Sequence, residues 1–194
     1  MRFTSLLATA ACVLSVNAAS LTKRNVSDQV QLCRDDIDAI SVQITGVTNV
    51  LSAFTSAGGY AGALTIHTNE QTLEAGLKKA GVDCCAVSGK VTDEEADAML
   101  TTVTPVIPQA TSALSLSVTK KPELDAVLLV NAVAKTDLKN LNEQTVVLYT
   151  CIRDIGSEQH PTYIPTINSF ISQLDNSFAI SRAAYENATQ TGTA

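Results

Sequence analysis

Tryptophan is absent from this 194-residue chain, and aromatic residues reach only 4%. A cleft that stacks sugars on aromatic faces is therefore not expected. Hydrophobic residues still make up 45%, as Ala, Val, Leu and Ile mixed with many Ser and Thr, a composition suited to helix–helix packing. Positive charge is also scarce: 13 Lys and Arg face 19 Asp and Glu, for a net charge of −6. With no basic run, nucleic acid and anionic membrane headgroups are poor partners.

Catalytic signatures are missing as well. The chain shows no G-x-S-x-G elbow, no H-E-x-x-H, no phosphate-cradling glycine loop and no calcium-loop spacing. Its two histidines belong to no recognisable constellation. His67 reads as a surface polar residue near a helix start, and His160, ahead of Pro161, as a turn residue. The acidic group Asp93, Glu94 and Glu95 falls in a helix first turn, where the macrodipole favours negative charge. Asp35, Asp36 and Asp38 read as a partly solvated helix face. The sequence thus argues for a protein that is not an enzyme and needs no cofactor or metal.

What is present begins with Met1 and Arg2, an apolar run from Leu6 to Val16, and small residues ending at Ala18. This is a secretory signal peptide over residues 1–18, and Arg2 leaves with it. No later segment approaches ~20 consecutive apolar residues, so the expected product is secreted, extracellular or wall-associated. Lys23-Arg24 is a dibasic pair of the kind processing proteases cut, although an ordinary polar tail fits equally well. The expected organisation is a tail over 19–26, a helical domain over 27–187 and a polar tail over 188–194 with no lipid-anchor signal. Sequons at Asn25 and Asn187 are candidate glycosylation sites flanking that domain.

Cys12 lies in the leader, which leaves Cys33, Cys84, Cys85 and Cys151. In an oxidising compartment four cysteines imply two disulfides. A vicinal Cys84–Cys85 bridge is strained, so Cys33 and Cys151 each reach one member of the pair, in either of two connectivities. A zinc site lacks histidines at ligand spacing.

Periodicity supplies the fold. Cys33, Ile37, Ile40, Ile44, Val47, Leu51 and Phe54 recur at steps of four and three, an unbroken helical stripe. Ser27-Asp28 can cap its start, and Gly58-Gly59 stops it near Ala57. A second helix reads from about Ala63 to Ala80, with Gly81 as its stop and the Cys84-Cys85 loop beyond. Thr92 and Glu95 form a capping box for a third helix, interrupted at Pro105 and Pro108. Pro122 suits the first turn of a fourth helix, which carries Leu124, Val127, Leu128, Leu138, Leu141, Leu148 and Ile152 inward. Asn131 and Thr145 share that stripe and need hydrogen-bond partners if buried. Ile164 to Tyr185 gives the last stripe. The expectation is all-α: an elongated bundle of about five amphipathic helices stapled by two disulfides.

Several segments together carry a resemblance. Gly58-Gly59 precedes Ala63, Leu64 and Ile66; Val91 to Ala98 (VTDEEADA) opens the third helix; Val103, Pro105 and Ile107 follow at alternate positions. Then come Lys120-Lys121-Pro122, the run Ile171, Leu174, Asp175 and Phe178, and Ala183-Ala184-Tyr185. In this order they resemble the fungal hydrophobic surface-binding protein A family, also described as cell-wall galactomannoproteins. The resemblance implies a secreted or wall-associated helical protein that adsorbs to hydrophobic surfaces and takes fatty acids or other lipids in an apolar pocket. Secreted lytic enzymes and cell-wall polymers are further partners it suggests. A structural wall mannoprotein, or an effector acting through protein partners without lipid, is the alternative. A pocket of this kind would be lined by Ile44, Leu51 and Phe54 of the first helix and Leu73 and Leu77 of the second. Leu100, Val103 and Ile107 of the third, Leu128 and Leu148 of the fourth, and Phe170 and Leu174 of the last complete it. The family supplies no catalytic motif to carry over.

Overall fold

The computed structural model describes residues 27–157 and 160–186. The expected leader, the dibasic pair, both sequon asparagines and the expected C-terminal tail lie outside them. Six α-helices are present among the described residues: α1 (Asp28–Ala53), α2 (Gly59–Cys85), α3 (Asp93–Val103), α4 (Val106–Asp125), α5 (Val130–Ser157) and α6 (Ile164–Glu186). They form five rods, because α3 and α4 are the expected third helix broken at Thr104-Pro105. Proline cannot donate the next ladder bond, and its ring crowds the preceding turn.

Cross-links between helices fix the direction of each rod. Ser41 donates to Gln109 at 2.7 Å, and Lys120 donates to the Phe54 carbonyl at 2.8 Å. Both positions advance together, so α1 and α4 are parallel. Ser181 donates to the Leu114 carbonyl and Tyr185 to the Ser117 carbonyl, which makes α4 and α6 parallel too. His67–Asp137, Glu74–Asn140 and Cys85–Cys151 likewise set α2 parallel to α5. Between α1 and α2 the sense reverses, with Lys79 bonded to Asp36 at 2.5 Å and Cys33 to Cys84. The result is two layers, α1–α3/α4–α6 and α2–α5, running in opposite directions with their apolar stripes turned toward each other.

One carboxylate closes two helix starts. The Ser27 N–H donates to Glu95 Oε1 at 2.6 Å, and the Thr92 N–H donates to Oε2 at 2.8 Å. Thr92 Oγ1 accepts in return from the Glu95 N–H, completing the expected capping box. These bonds, led by the Thr92 backbone and opposed by burial, hold the Glu95 carboxyl below its usual range.

Several boundaries differ from expectation, each for a tertiary reason. The first helix ends at Ala53, not near Ala57. Phe54 turns extended and is buried, its carbonyl bonded to Lys120, while the Ser56 N–H donates to Glu123 at 2.7 Å. Partners from α4 therefore replace the next helical bonds. Gly59, at φ 55°, then redirects the chain into α2. That helix passes through Gly81, where an added Cβ would stand 3.3 Å from Val147. Gly81 serves close approach of α5 and not a stop.

Cys84 and Cys85 consequently sit in the last helical turn and not in a loop. Successive residues on a helix diverge by about 100°, so the pair faces two neighbours. Cys84 bonds Cys33 of α1 and Cys85 bonds Cys151 of α5, with Cα separations of 4.7 and 4.9 Å. Pro122 lies inside α4, and the chain turns instead before Val130, with Leu129 at φ 68°. Leu128, expected inward, is 79% exposed as a result.

Candidate functional site

The two layers do not close completely on each other. Between them lies an apolar cavity of about 150 Å³, lined from all six helices. On α1 its wall runs from Ile37 to Leu51, about 21 Å of helix. The neighbouring wall on α3 and α4 carries Ala96, Ala110 and Ala113. Small side chains there leave unfilled the space that Leu or Phe would occupy in a close-packed core. The break at Pro105 separates Val103 from Val106, and both line the cavity.

Ten of the residues expected at a pocket surround this space: Ile44, Leu51, Leu73, Leu77, Leu100, Val103, Ile107, Leu148, Phe170 and Leu174. Two do not. Phe54 is buried at the α1–α2 turn, its ring close to Gly62, where an added Cβ would stand 3.1 Å away. Leu128 projects outward from the α4–α5 turn, because α5 starts at Val130 and not at Pro122. Thr145 lines the cavity with its hydroxyl donated to the Leu141 carbonyl at 2.8 Å. Asn131 instead bonds Asp125 at the turn.

Polar residues at one end escaped the sequence reading. Glu70 lines the cavity and also a smaller chamber of about 20 Å³ beside it, which adds His67, Asp137 and Tyr185. Glu70 is buried, and that burial, reinforced by the neighbouring Asp137 carboxyl, pushes its pKa well above the usual range. Asp137 is 4% exposed and bonds His67 Nδ1 at 2.7 Å. His67 is thus a partner of a buried carboxylate, not the surface residue expected. A signal was available: Ile66, Glu70, Leu73 and Leu77 recur at steps of four, three and four, so Glu70 stands on the apolar stripe.

His160 lies in the α5–α6 connection, as expected of a turn residue, but not at the surface. It is buried, with Nε2 donating to the Val91 carbonyl at 2.8 Å and Nδ1 lying 3.0 Å from Asp93. Its ring ties the α5–α6 connection to the start of α3. Asp36, part of the group read as a solvated face, is buried and bonded to Lys79.

Residues 30–154 match the family model for hydrophobic surface binding protein A. The chain belongs to the hydrophobic surface binding protein A family. The matched span includes all four bridged cysteines and all or most of every helix but α6. Among solved structures, Afmp4p in complex with palmitic acid is 25% identical, with a TM-score of 0.73 over 80% of this chain and 99% of that one. Ligand-binding domain 1 of the Penicillium marneffei MP1 protein, complexed with arachidonic acids, is 16% identical, with a TM-score of 0.71 over 81% and 98%. Its ligand-binding domain 2, complexed with multiple arachidonic acids, is 12% identical at the same TM-score, over 84% and 99%. No curated protein matches the chain significantly.

Proposed function

We propose that this member of the family is a secreted, non-catalytic carrier that binds long-chain fatty acids or similar lipids between its helix layers. The observation that carries the reading is the cavity itself: apolar, elongated along α1 and walled by small side chains on α3 and α4. Structurally similar proteins were solved with palmitic and arachidonic acids, which supports an acyl chain as the occupant. Each Å² of apolar surface taken from water contributes about 25 cal/mol, set against the cost of immobilising the ligand.

Leu73, Leu77 and Leu148 of the α2–α5 layer would form one side of the acyl site, and Ile44, Leu51, Leu100, Val103, Ile107, Phe170 and Leu174 of the other layer would face them. Two disulfides suit an oxidising, extracellular compartment. Adsorption to hydrophobic surfaces is a second activity of the same chain, favoured by Leu128 and Leu129, exposed side by side at the α4–α5 turn. Through it the protein would associate with the cell wall, its polymers or secreted lytic enzymes, or act after release.

Titration of delipidated protein with a labelled long-chain fatty acid tests the carrier reading. Saturable binding is expected. Linear, non-saturating uptake, or none, would overturn it.

A further inference from the structure

We propose that the small chamber beside Glu70 holds the head of an uncharged, hydrogen-donating amphiphile, a protonated carboxylic acid or a long-chain alcohol, while the large cavity holds its tail. This rests on the carrier reading above and adds the ligand's orientation and ionisation state.

The chamber, about 20 Å³, has room for a group of one or two water-sized atoms, and it shares Leu51, Glu70, Ser117 and Leu138 with the large cavity. An amphiphile lying along α1 would therefore meet buried carboxyls at this end of its tail site, whereas the Thr145, Tyr149 and Tyr163 hydroxyls elsewhere on the wall already donate to Leu141, Asp175 and Asp97.

An inventory of those atoms selects the head. Tyr185 donates its hydroxyl hydrogen to the Ser117 carbonyl at 2.8 Å, and Ser117 donates its own to the Leu114 carbonyl at 2.7 Å. Both hydroxyls therefore offer the chamber lone pairs. The Asp137 carboxylate can only accept, so His67 Nδ1 carries the hydrogen in their 2.7 Å contact. Glu70 lies within hydrogen-bonding reach of the same carboxylate, and burial favours its neutral form. The walls are rich in acceptors.

The surrounding charges point the same way. Around Glu70 stand Asp137 from α5 and His67 from α2 itself, with Glu74 one turn further along and bonded to Asn140 of α5. Behind Tyr185 of α6 lies Lys121 of α4, paired with Asp125. From α1, the chamber receives only Leu51. Lys121 and the His67 Nδ1–H are thus engaged by carboxylates already. A carboxylate head would lose its hydration and meet Asp137, two costs of the same sign. A hydroxyl or an un-ionised carboxyl instead gives its hydrogen to these acceptors.

The test compares dodecanoic acid, dodecanol and methyl dodecanoate as competitors against a fluorescent apolar ligand, at about pH 5 and about pH 8. The acid is expected to bind at least about tenfold more weakly at the higher pH, following its un-ionised fraction. The alcohol should hold its affinity at both, and the ester, which has no hydrogen to donate, should bind more weakly than the alcohol. In the Glu70→Gln, Asp137→Asn double variant the acid's pH dependence should shrink. Acid binding that is equal at both pH values, or tighter at the higher one, would overturn the proposal. If acid, alcohol and ester bind alike throughout, the tail cavity stands and the head assignment falls. If none of the three binds, the carrier reading falls with it.

Discussion

The two ends of the bundle are held by opposite kinds of chemistry. At one end, Cys33–Cys84 and Cys85–Cys151 tie α1, α2 and α5 covalently, Glu95 closes the starts of α1 and α3, and His160 fastens the α5–α6 connection to Val91. At the other end no bridge is present among the described residues, and the buried groups are the Glu70 and Asp137 carboxyls, with an exposed Leu128-Leu129 turn outside. The polar devices at the stapled end satisfy helix termini or fix crossings; Asp36 does so through Lys79, with burial raising its carboxyl pKa. At the far end Asp137 also fixes a crossing, through His67, but Glu70 caps nothing and carries a desolvation cost. Groups that a fold keeps at its own expense are best explained by what they meet, which is why the ligand head is placed there.

This contrast is open to direct attack, beginning with the bridges. Replacing Cys33 and Cys84 together with Ser should cost about 2–4 kcal/mol in denaturant unfolding, because the bridge closes a long loop in the unfolded chain. A loss under about 1 kcal/mol would mean that packing, not the staple, holds this end. Next in size is Glu95→Gln, expected to cost about 1–2 kcal/mol as two capped N–H groups lose a charged acceptor. The sign with pH follows from the lowered folded-state carboxyl. Its contribution is complete above the unfolded value of 4.5 and disappears as acid protonates the folded form. The variant's stability should therefore fall less steeply than the wild type's on acidification, and parallel curves would contradict the assignment.

The smallest effect belongs to the open end. Leu129→Gly should raise stability by about 0.5–1 kcal/mol, because glycine accepts the positive φ without a Cβ penalty. The same change removes half of the exposed Leu pair and should weaken adsorption to an alkyl-coated surface. Unchanged adsorption would take that turn out of the surface-binding account.

Much of this was legible in the chain because helical periodicity survives any tertiary context. The α1 stripe from Cys33 to Leu51, the Thr92–Glu95 box and the break at Pro105 all appear where spacing and proline chemistry put them. Boundaries were less legible, since partners far along the chain decide them: Lys120 and Glu123 end α1, and the approach of Val147 carries α2 through Gly81. Cysteine pairing was open until Cys84 and Cys85 were placed on a helix, whose geometry aims them at different neighbours. Most of the cavity wall could be read from the stripes, but its polar end could not. A stripe of apolar residues draws the eye past a carboxyl such as Glu70, and Asp137 becomes significant only when α5 lies beside α2.

The most direct test of the central claim is to fill the cavity and leave its exterior alone. Ala110 and Ala113 line it from α4, and replacing both with Phe should occupy the space at a packing cost of about 1–3 kcal/mol per site. Fatty-acid titration of the double variant, with helical content followed by circular dichroism, is predicted to show an intact bundle that no longer binds saturably. A filled bundle that takes up fatty acid as the wild type does would contradict the account.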